Sequence, residues 1–297
     1  MKVGICPIVF NTYDNPALGP RMATAAILDE VAQIGYAGTQ LSDGFPEGAE
    51  LRSALDARRL RAAELYSALP ATANGLTDTA DAKARRDLER LLAAGGETLV
   101  VAVDGSAERD GWSGRVADGA PRWPPVAFAR LGALLGELAG AAPPGVRVAF
   151  HPHTATWIET PDEVDALLDA IDGTDAGLCL DVGHYIVGGG DPVEAVRRFG
   201  DWVTHVHAKD VDGGVLERLR AGDIDGFGGA VHERIFTELG NGILDFDGVL
   251  RGLAAVSFDG WLMVEQDSSW LPPAEASAIG YRALTAAVVR TAGASVA

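Results

Sequence analysis

Gly177-Leu178-Cys179-Leu180-Asp181-Val182-Gly183-His184 is the stretch that decides the fold. Leu178, Cys179 and Leu180 form a short unbroken apolar run, the mark of a strand buried on both faces in a parallel sheet. The run stops at a carboxylate, a glycine and a histidine. A buried carboxylate at a strand end is costly unless it meets a cation or several donors, so a polar site is expected there. Two later strands finish alike. Val203-Thr204-His205-Val206-His207 leads into Lys209 and Asp210, and Trp261-Leu262-Met263-Val264 leads into Glu265, Gln266 and Asp267. Three apolar strands that each end in oxygen or imidazole groups predict one site at one end of a parallel barrel.

Outward from this stretch, strand and helix patterns alternate along the whole chain, which predicts an α/β fold, a (β/α)8 TIM barrel. Strands are predicted at Val3 to Phe10, Gly38 to Ser42, Ala62 to Ser67, Thr98 to Val103, Val146 to His153, Ala176 to Asp181, Val203 to Ala208 and Gly260 to Glu265. Helices fall between them. One opens with Thr160-Pro161-Asp162-Glu163, a capping box with proline in its first turn. Another opens with Asp191-Pro192-Val193-Glu194 on the same logic. A polar loop, Asn11 to Pro20, follows the first strand. Long segments follow the fourth strand, Asp104 to Pro125, and the seventh, Val211 to Gly242; their length suits loops that touch substrate. No composition break divides the chain, so residues 1–297 read as one domain.

The 297 residues, 47% hydrophobic and 22% charged, are enough for one such barrel. A net charge of -18 and a pI near 4.6 repel phosphate backbones and anionic lipid, so neither nucleic acid nor membrane is an expected partner. Cys6 and Cys179 lie in apolar runs and read as reduced core residues. The start goes directly into a strand without a signal-peptide core, and no apolar run approaches the length of a membrane span. A cytoplasmic protein is the expectation. Oligomeric state is open, with a homodimer the natural candidate because barrels of this kind often pair.

Active sites of such barrels lie at the carboxyl ends of the strands. Strand five brings His151 and His153 there, with Glu159 before the next helix; strand six brings Asp181 and His184. Strand seven brings His205, His207, Lys209 and Asp210, and strand eight brings Glu265 and Gln266. Five of the six histidines fall in these places, His232 being the exception. Carboxylates mixed with imidazoles suit Mn²⁺, Fe²⁺, Co²⁺ or Zn²⁺, whereas Mg²⁺ prefers oxygen alone. One divalent metal ion is therefore expected on Asp181, His207 and Glu265, with Glu159 or His151 as the fourth ligand. The alternative is a metal-free cluster of hydrogen-bonded histidines and ion pairs.

Phe150-His-Pro-His-Thr154, Trp157-Ile-Glu-Thr-Pro161, Leu180-Asp-Val-Gly-His184, His205-Val-His-Ala-Lys-Asp210 and Val264-Glu265-Gln266 together resemble the xylose isomerase-like TIM barrels. Within them the pattern is nearest the inosose (2-keto-myo-inositol) dehydratase branch. Gly4-Ile5-Cys6-Pro7-Ile8 with Asn11, Gly35-Tyr36-Ala37-Gly38-Thr39, and Phe236-Thr-Glu-Leu-Gly240 leading to Gly242 and Asp245-Phe246 extend the resemblance along nearly the whole chain. The resemblance implies that Asp181, His207 and Glu265 bind a divalent metal and that His184 contacts substrate. Ketose epimerases of the superfamily carry a glutamate where this chain has His151, and that difference favours a lyase, which needs one base and one acid. The chain departs from the dehydratase branch too, with Phe10 to Asp14 after the first strand and Gln40 after Gly38-Thr39.

The implied chemistry is dehydration of a keto-cyclitol or keto-sugar, a small polyhydroxy ketone, through an enediolate. His151, His153 and Glu159 are the candidate proton acceptors; His184, His205 and Lys209 are the candidate donors. Lys209 can equally serve as an ion-pair partner of Asp210 or Asp181. Asn11, Gln40, His205, Asp210 and Gln266 are the expected substrate contacts. Four rival readings remain: a metal-dependent sugar isomerase or epimerase, a DNA-repair endonuclease disfavoured by 24 basic against 42 acidic residues, a non-catalytic sugar-binding barrel, and a metal-free ketose-binding hydrolase.

Overall fold

A computed structural model describes residues 1–11, 22–42 and 44–294. Eight parallel strands close into a barrel: β1 (Lys2–Cys6), β2 (Gly38–Leu41), β3 (Arg61–Leu69), β4 (Thr98–Val103), β5 (Arg147–Phe150), β6 (Gly177–Asp181), β7 (Val203–Ala208) and β8 (Trp261–Glu265). They follow chain order around the ring, and β8 closes on β1 through Lys2 to Cys6 paired with Trp261 to Glu265. Eight helices pack outside: α1 (Thr24–Ile34), α2 (Gly48–Asp56), α3 (Ala80–Ala93), α4 (Pro125–Ala141), α5 (Pro161–Ile171), α6 (Pro192–Phe199), α7 (Phe246–Ala255) and α8 (Pro273–Ala294). The (β/α)8 barrel expected from the alternating pattern is what the chain forms. No helix among the described residues is long and apolar enough to cross a membrane.

Proline sets two strand ends that the apolar pattern overruns. The first strand is expected to reach Phe10, but it stops at Cys6, and Pro7 opens a single 3-10 turn, Pro7–Phe10. The fifth is expected to reach His153, yet the ladder ends with His151 N–H donating to Val101 O at 2.7 Å, because Pro152 has no N–H to extend it. His151 and His153 therefore sit on the loop above β5. The Asn11 to Pro20 loop lies, beyond Asn11, outside the described residues. The caps at α5 and α6 form as read: Glu163 Oε2 accepts the Thr160 N–H at 3.0 Å, and Asp191 accepts from Val193 N–H at 2.8 Å.

The segments after β4 and β7 carry structure of their own. Residues 104–124 include a short helix, Ala107–Asp110, and residues 209–245 include the helices Gly213–Ala221 and Gly226–His232. Asp110 Oδ1 accepts the Phe227 N–H at 2.9 Å, joining the two segments over the barrel mouth. Inside the barrel Val100, Ala149 and Cys179 form one small apolar cluster and Cys6, Ala63, Trp261 and Met263 another. Both cysteines are free and buried.

Candidate metal centre

Asp181 is the last residue of β6 and the cap of the helix that starts at once, Val182–Val187. Its Oδ1 accepts the His184 N–H at 2.7 Å, so the carboxylate is fixed with Oδ2 free to face the barrel axis. Gly183 is required at this turn: a Cβ there would lie 2.8 Å from Lys209 Cγ and 2.9 Å from Lys209 O. Around Asp181 Oδ2 stand His151 Nε2 at 3.4 Å and His207 Nδ1 at 3.7 Å, while Glu265 Oε2 touches His207 Nδ1. One ligand-type atom from each of His151, Asp181, His207 and Glu265 lies within 4.8 Å of all the others.

All four side chains are buried; Glu265 Oε2 and His207 Nδ1 meet each other, while Asp181 Oδ2 and both ring nitrogens of His151 have no hydrogen-bond partner, Lys209 Nζ standing 3.6 Å from Asp181 Oδ2. Buried polar atoms gathered with so few donors are unfavourable, and a shared cation compensates such a set. Two carboxylate oxygens with two imidazole nitrogens suit a zinc-, manganese-, iron- or cobalt-type ion. The donor set fits a metal.

Lys209 supplies the fixed positive charge beside this cluster. Its fully buried ammonium donates to Glu265 Oε1 at 2.7 Å, to Asp267 Oδ1 at 3.1 Å and to His184 Nε2 at 3.1 Å, and lies 4.4 Å from the Phe236 ring centre. Burial alone would depress its pKa, but Asp267, Glu265 and Asp181 hold it well above the ordinary lysine value. Against the burial that would raise them, Lys209 and the histidines keep Glu265 and Asp181 below the usual carboxylate range. Asp267 is different: burial, with Glu265 and Asp181 nearby, pushes it up to about 6.

Lys209 Nζ lies 3.1 Å from His184 Nε2, and His184 Nδ1 lies 2.8 Å from Thr154 Oγ1 and accepts the Thr154 N–H at 3.2 Å. Both nitrogens of His184 are thereby engaged within the protein. His153 is the more open ring, 3.8 Å from His184 and edge-on to Phe227 at 5.3 Å. Its Nδ1–H donates to Thr154 O at 2.6 Å, which leaves Nε2 as an acceptor, and burial lowers its pKa to about 3, so the ring is neutral.

Of the expected site residues, the fold brings His151, Asp181, His207 and Glu265 together and sets His184 and Lys209 beside them. Others have different neighbours. His205 is buried deeper in the barrel on Glu64, with its Nε2 against Glu64 Oε2. Asp210 accepts four backbone N–H groups, from Val211, Gly240, Gly242 and Leu244, and so shapes a loop. Gln266 donates to Glu238 Oε1 at 2.9 Å, and Asn11 is buried at the end of its turn. Gln40 pairs in register with Glu64 and is partly exposed.

Sequence reasoning passed over Glu64 and Tyr66. Both interrupt the apolar run of β3, which was the available signal. Tyr66 lies edge-on to His151 at 5.6 Å. Against the burial that would raise it, His207 and His205 hold the Glu64 carboxyl far below its ordinary value, so it is an anion.

Glu159 stands apart from the cluster. Its Oε1 accepts the Gly114 N–H at 3.2 Å and its Oε2 the Ala155 N–H at 2.9 Å, tying the segment after β4 to the loop after β5. Burial pushes its carboxyl from 4.5 up to about 7. A pKa raised in the folded state gives stability that is full below the unfolded value and lost as pH rises through the folded one. Glu159→Gln removes that titration. Between about pH 5 and pH 8 the wild type should lose stability relative to the variant, by on the order of 3 kcal/mol at most. Denaturant titrations of both proteins across that range check it, and a constant difference would refute it.

Comparison with known proteins agrees with this architecture. The family model for the xylose isomerase-like TIM barrel matches residues 28–287. The rhizopine catabolism protein MocC of Rhizobium meliloti is 35% identical over 293 residues, 96% of this chain and 87% of the relative. An inosose dehydratase of Clostridium botulinum is 29% identical over 280 residues, 93% of each chain. Among solved structures, the IOLI protein with a zinc atom matches with a TM-score of 0.71 at 17% identity, over 98% of this chain and 99% of that one. An L-ribulose 3-epimerase matches with a TM-score of 0.72 at 13% identity, over 99% and 96%. At such identities the two structures speak for the fold alone.

Proposed function

The chain belongs to the xylose isomerase-like TIM barrel family, and from that premise we propose that it is a divalent-metal-dependent hydro-lyase acting on a keto-cyclitol or keto-sugar. The observation that carries the reading is the buried quartet His151, Asp181, His207 and Glu265, whose ligand-type atoms converge at the mouth end of the barrel. The relatives named inosose dehydratase, similar over almost their full length, support water loss from a cyclic polyhydroxy ketone as the reaction. So does His151 in the position where an epimerase would need a second carboxylate base.

A divalent cation held by the quartet would supply Lewis-acid charge for the ketone oxygen and the developing enediolate. The chain's own groups handle the protons. His153 Nε2, left as an acceptor by the Thr154 hydrogen bond, takes the proton from the carbon next to the ketone. The freed electron pair forms the C=C bond as the β C–O bond breaks, and the leaving hydroxide takes a proton to depart as water. We assign that donor to Asp267, the more exposed carboxyl on Lys209, whose pKa burial pushes up to about 6. Lys209 keeps its three hydrogens on Glu265, Asp267 and His184 and serves as a counter-charge.

The test is incubation of protein loaded with Mn²⁺, Co²⁺ or Zn²⁺ with 2-keto-myo-inositol and a set of 3-keto-sugars. Growth of an enone or enedione absorbance is expected, and only with metal. Solvent deuterium entering recovered substrate without water loss would replace the lyase by an epimerase. Tight sugar binding without either reaction would leave only a binding barrel.

A further inference from the structure

We propose that Glu64, in the middle of β3, is a positioning residue for the metal centre: it fixes His207 with its proton on Nε2 and its Nδ1 lone pair presented to the cation. This rests on the metal-centre reading above. Glu64 is fully buried in the run Ala62-Ala63-Glu64-Leu65, where a carboxylate is costly without donors. Three donors come to it. His207 Nε2 lies 2.9 Å from Oε2, His205 Nε2 contacts the same oxygen, and Cys6 Sγ lies 3.4 Å from Oε1.

An ionised carboxylate only accepts, so both imidazoles must carry their protons on Nε2. The opposite edge of His207, Nδ1, is the atom that faces Asp181 and Glu265. A carboxylate behind a metal-ligating histidine sets the ring's orientation and tautomer and makes the ligand nitrogen more basic. Here one anion serves two histidines, and His205, which is not one of the quartet, braces Glu64 from the side away from the mouth.

Glu64→Gln keeps the shape and removes the charge. Its amide oxygen can take the place of Oε2, which both rings share, but a neutral amide accepts more weakly and no longer makes His207 Nδ1 more basic. The expected result is a roughly 10–100-fold weaker affinity for Zn²⁺, read by competition with a chromophoric chelator and not by turnover. In metal-free wild-type protein labelled with ¹⁵N-histidine, a long-range ¹H–¹⁵N spectrum should show the His207 Nε2 proton, assigned by its loss in His207→Gln. It should persist when Zn²⁺ is added.

Wild type and Glu64→Gln binding Zn²⁺ equally well would overturn the role of Glu64 while leaving the metal centre standing. Wild type failing to take up Zn²⁺, Mn²⁺ or Co²⁺ would overturn the metal centre and this role with it. Should Glu64→Gln not fold, the wild-type spectrum decides: an unprotonated Nε2 on His207 refutes the proposal, and a proton there that survives zinc binding upholds it.

Discussion

Asp181→Asn is expected to leave a folded barrel that no longer holds metal and turns over on the order of 10³-fold more slowly, the scale of losing one preorganised charged group. The substitution separates two jobs done by two oxygens. Oδ1 accepts the His184 N–H and starts the helix Val182–Val187; Oδ2 faces His151 and His207. In asparagine the amide oxygen must take the capping position, because the His184 N–H rejects an NH₂ group there. The NH₂ is then driven into the quartet, where it presents hydrogens to the place a cation would occupy. The cap survives, so thermal stability of the metal-free variant should stay within about 1 kcal/mol of wild type. Elemental analysis, turnover and melting temperature are measured on the same preparation. A variant that retains both metal and activity would remove Asp181 from the site, and Glu265→Gln offers an independent second reading because its Oε2 touches His207.

Asp181, His207 and Glu265 are legible in the sequence because each occurs at or next to the end of an apolar run, so burial and position are written together in a few residues. His151 is legible as a candidate but Glu159 is an equal one, since their separation depends on where Pro152 ends β5 and on which N–H groups the next loop turns inward. Asp210 sits next to Lys209 in the motif, yet its carboxylate is filled by the N–H groups of Gly240, Gly242 and Leu244, a nest formed only when residues 236–244 fold back. Glu64 is visible as an oddity in β3, but its partners His205 and His207 lie 141 and 143 positions away. The barrel itself is legible from local signals: the alternation of strand and helix patterns, the caps at Thr160 and Asp191, and the glycine that ends α1 at Gly35 in the left-handed conformation. What local signals do not carry is which acid meets which base across the barrel.

Glu163→Ala is expected to have the largest effect on stability, about 3–5 kcal/mol, which for a chain of this size is a fall of about 10 °C in melting temperature. Glu163 and Arg109 are both buried, and the pair is bidentate: Arg109 Nη1 to Oε1 at 2.7 Å and Nη2 to Oε2 at 2.9 Å. The carboxylate also accepts the N–H groups of Glu159 and Thr160 at 2.9 and 3.0 Å. Against burial, the Arg109 guanidinium holds its carboxyl below the ordinary value. That stability is present above the unfolded pKa and is lost as acid takes the pH down through the folded one.

Truncation leaves a guanidinium buried with Pro121 O at 2.9 Å as its remaining hydrogen-bonded acceptor, which is the costly half of a broken pair. Arg109→Met is the informative contrast, because Glu163 would keep two backbone donors and the methionine would still pack on Trp157. Its loss should be clearly smaller than that of Glu163→Ala, and the double variant Arg109→Met with Glu163→Leu should be no worse than Glu163→Ala alone. Equal losses for the two single variants would show that packing, not the stranded charge, sets the cost. Because Arg109 anchors the segment after β4, Arg109→Met should also raise KM for the proposed reaction while zinc affinity, set by the quartet, stays at the wild-type value.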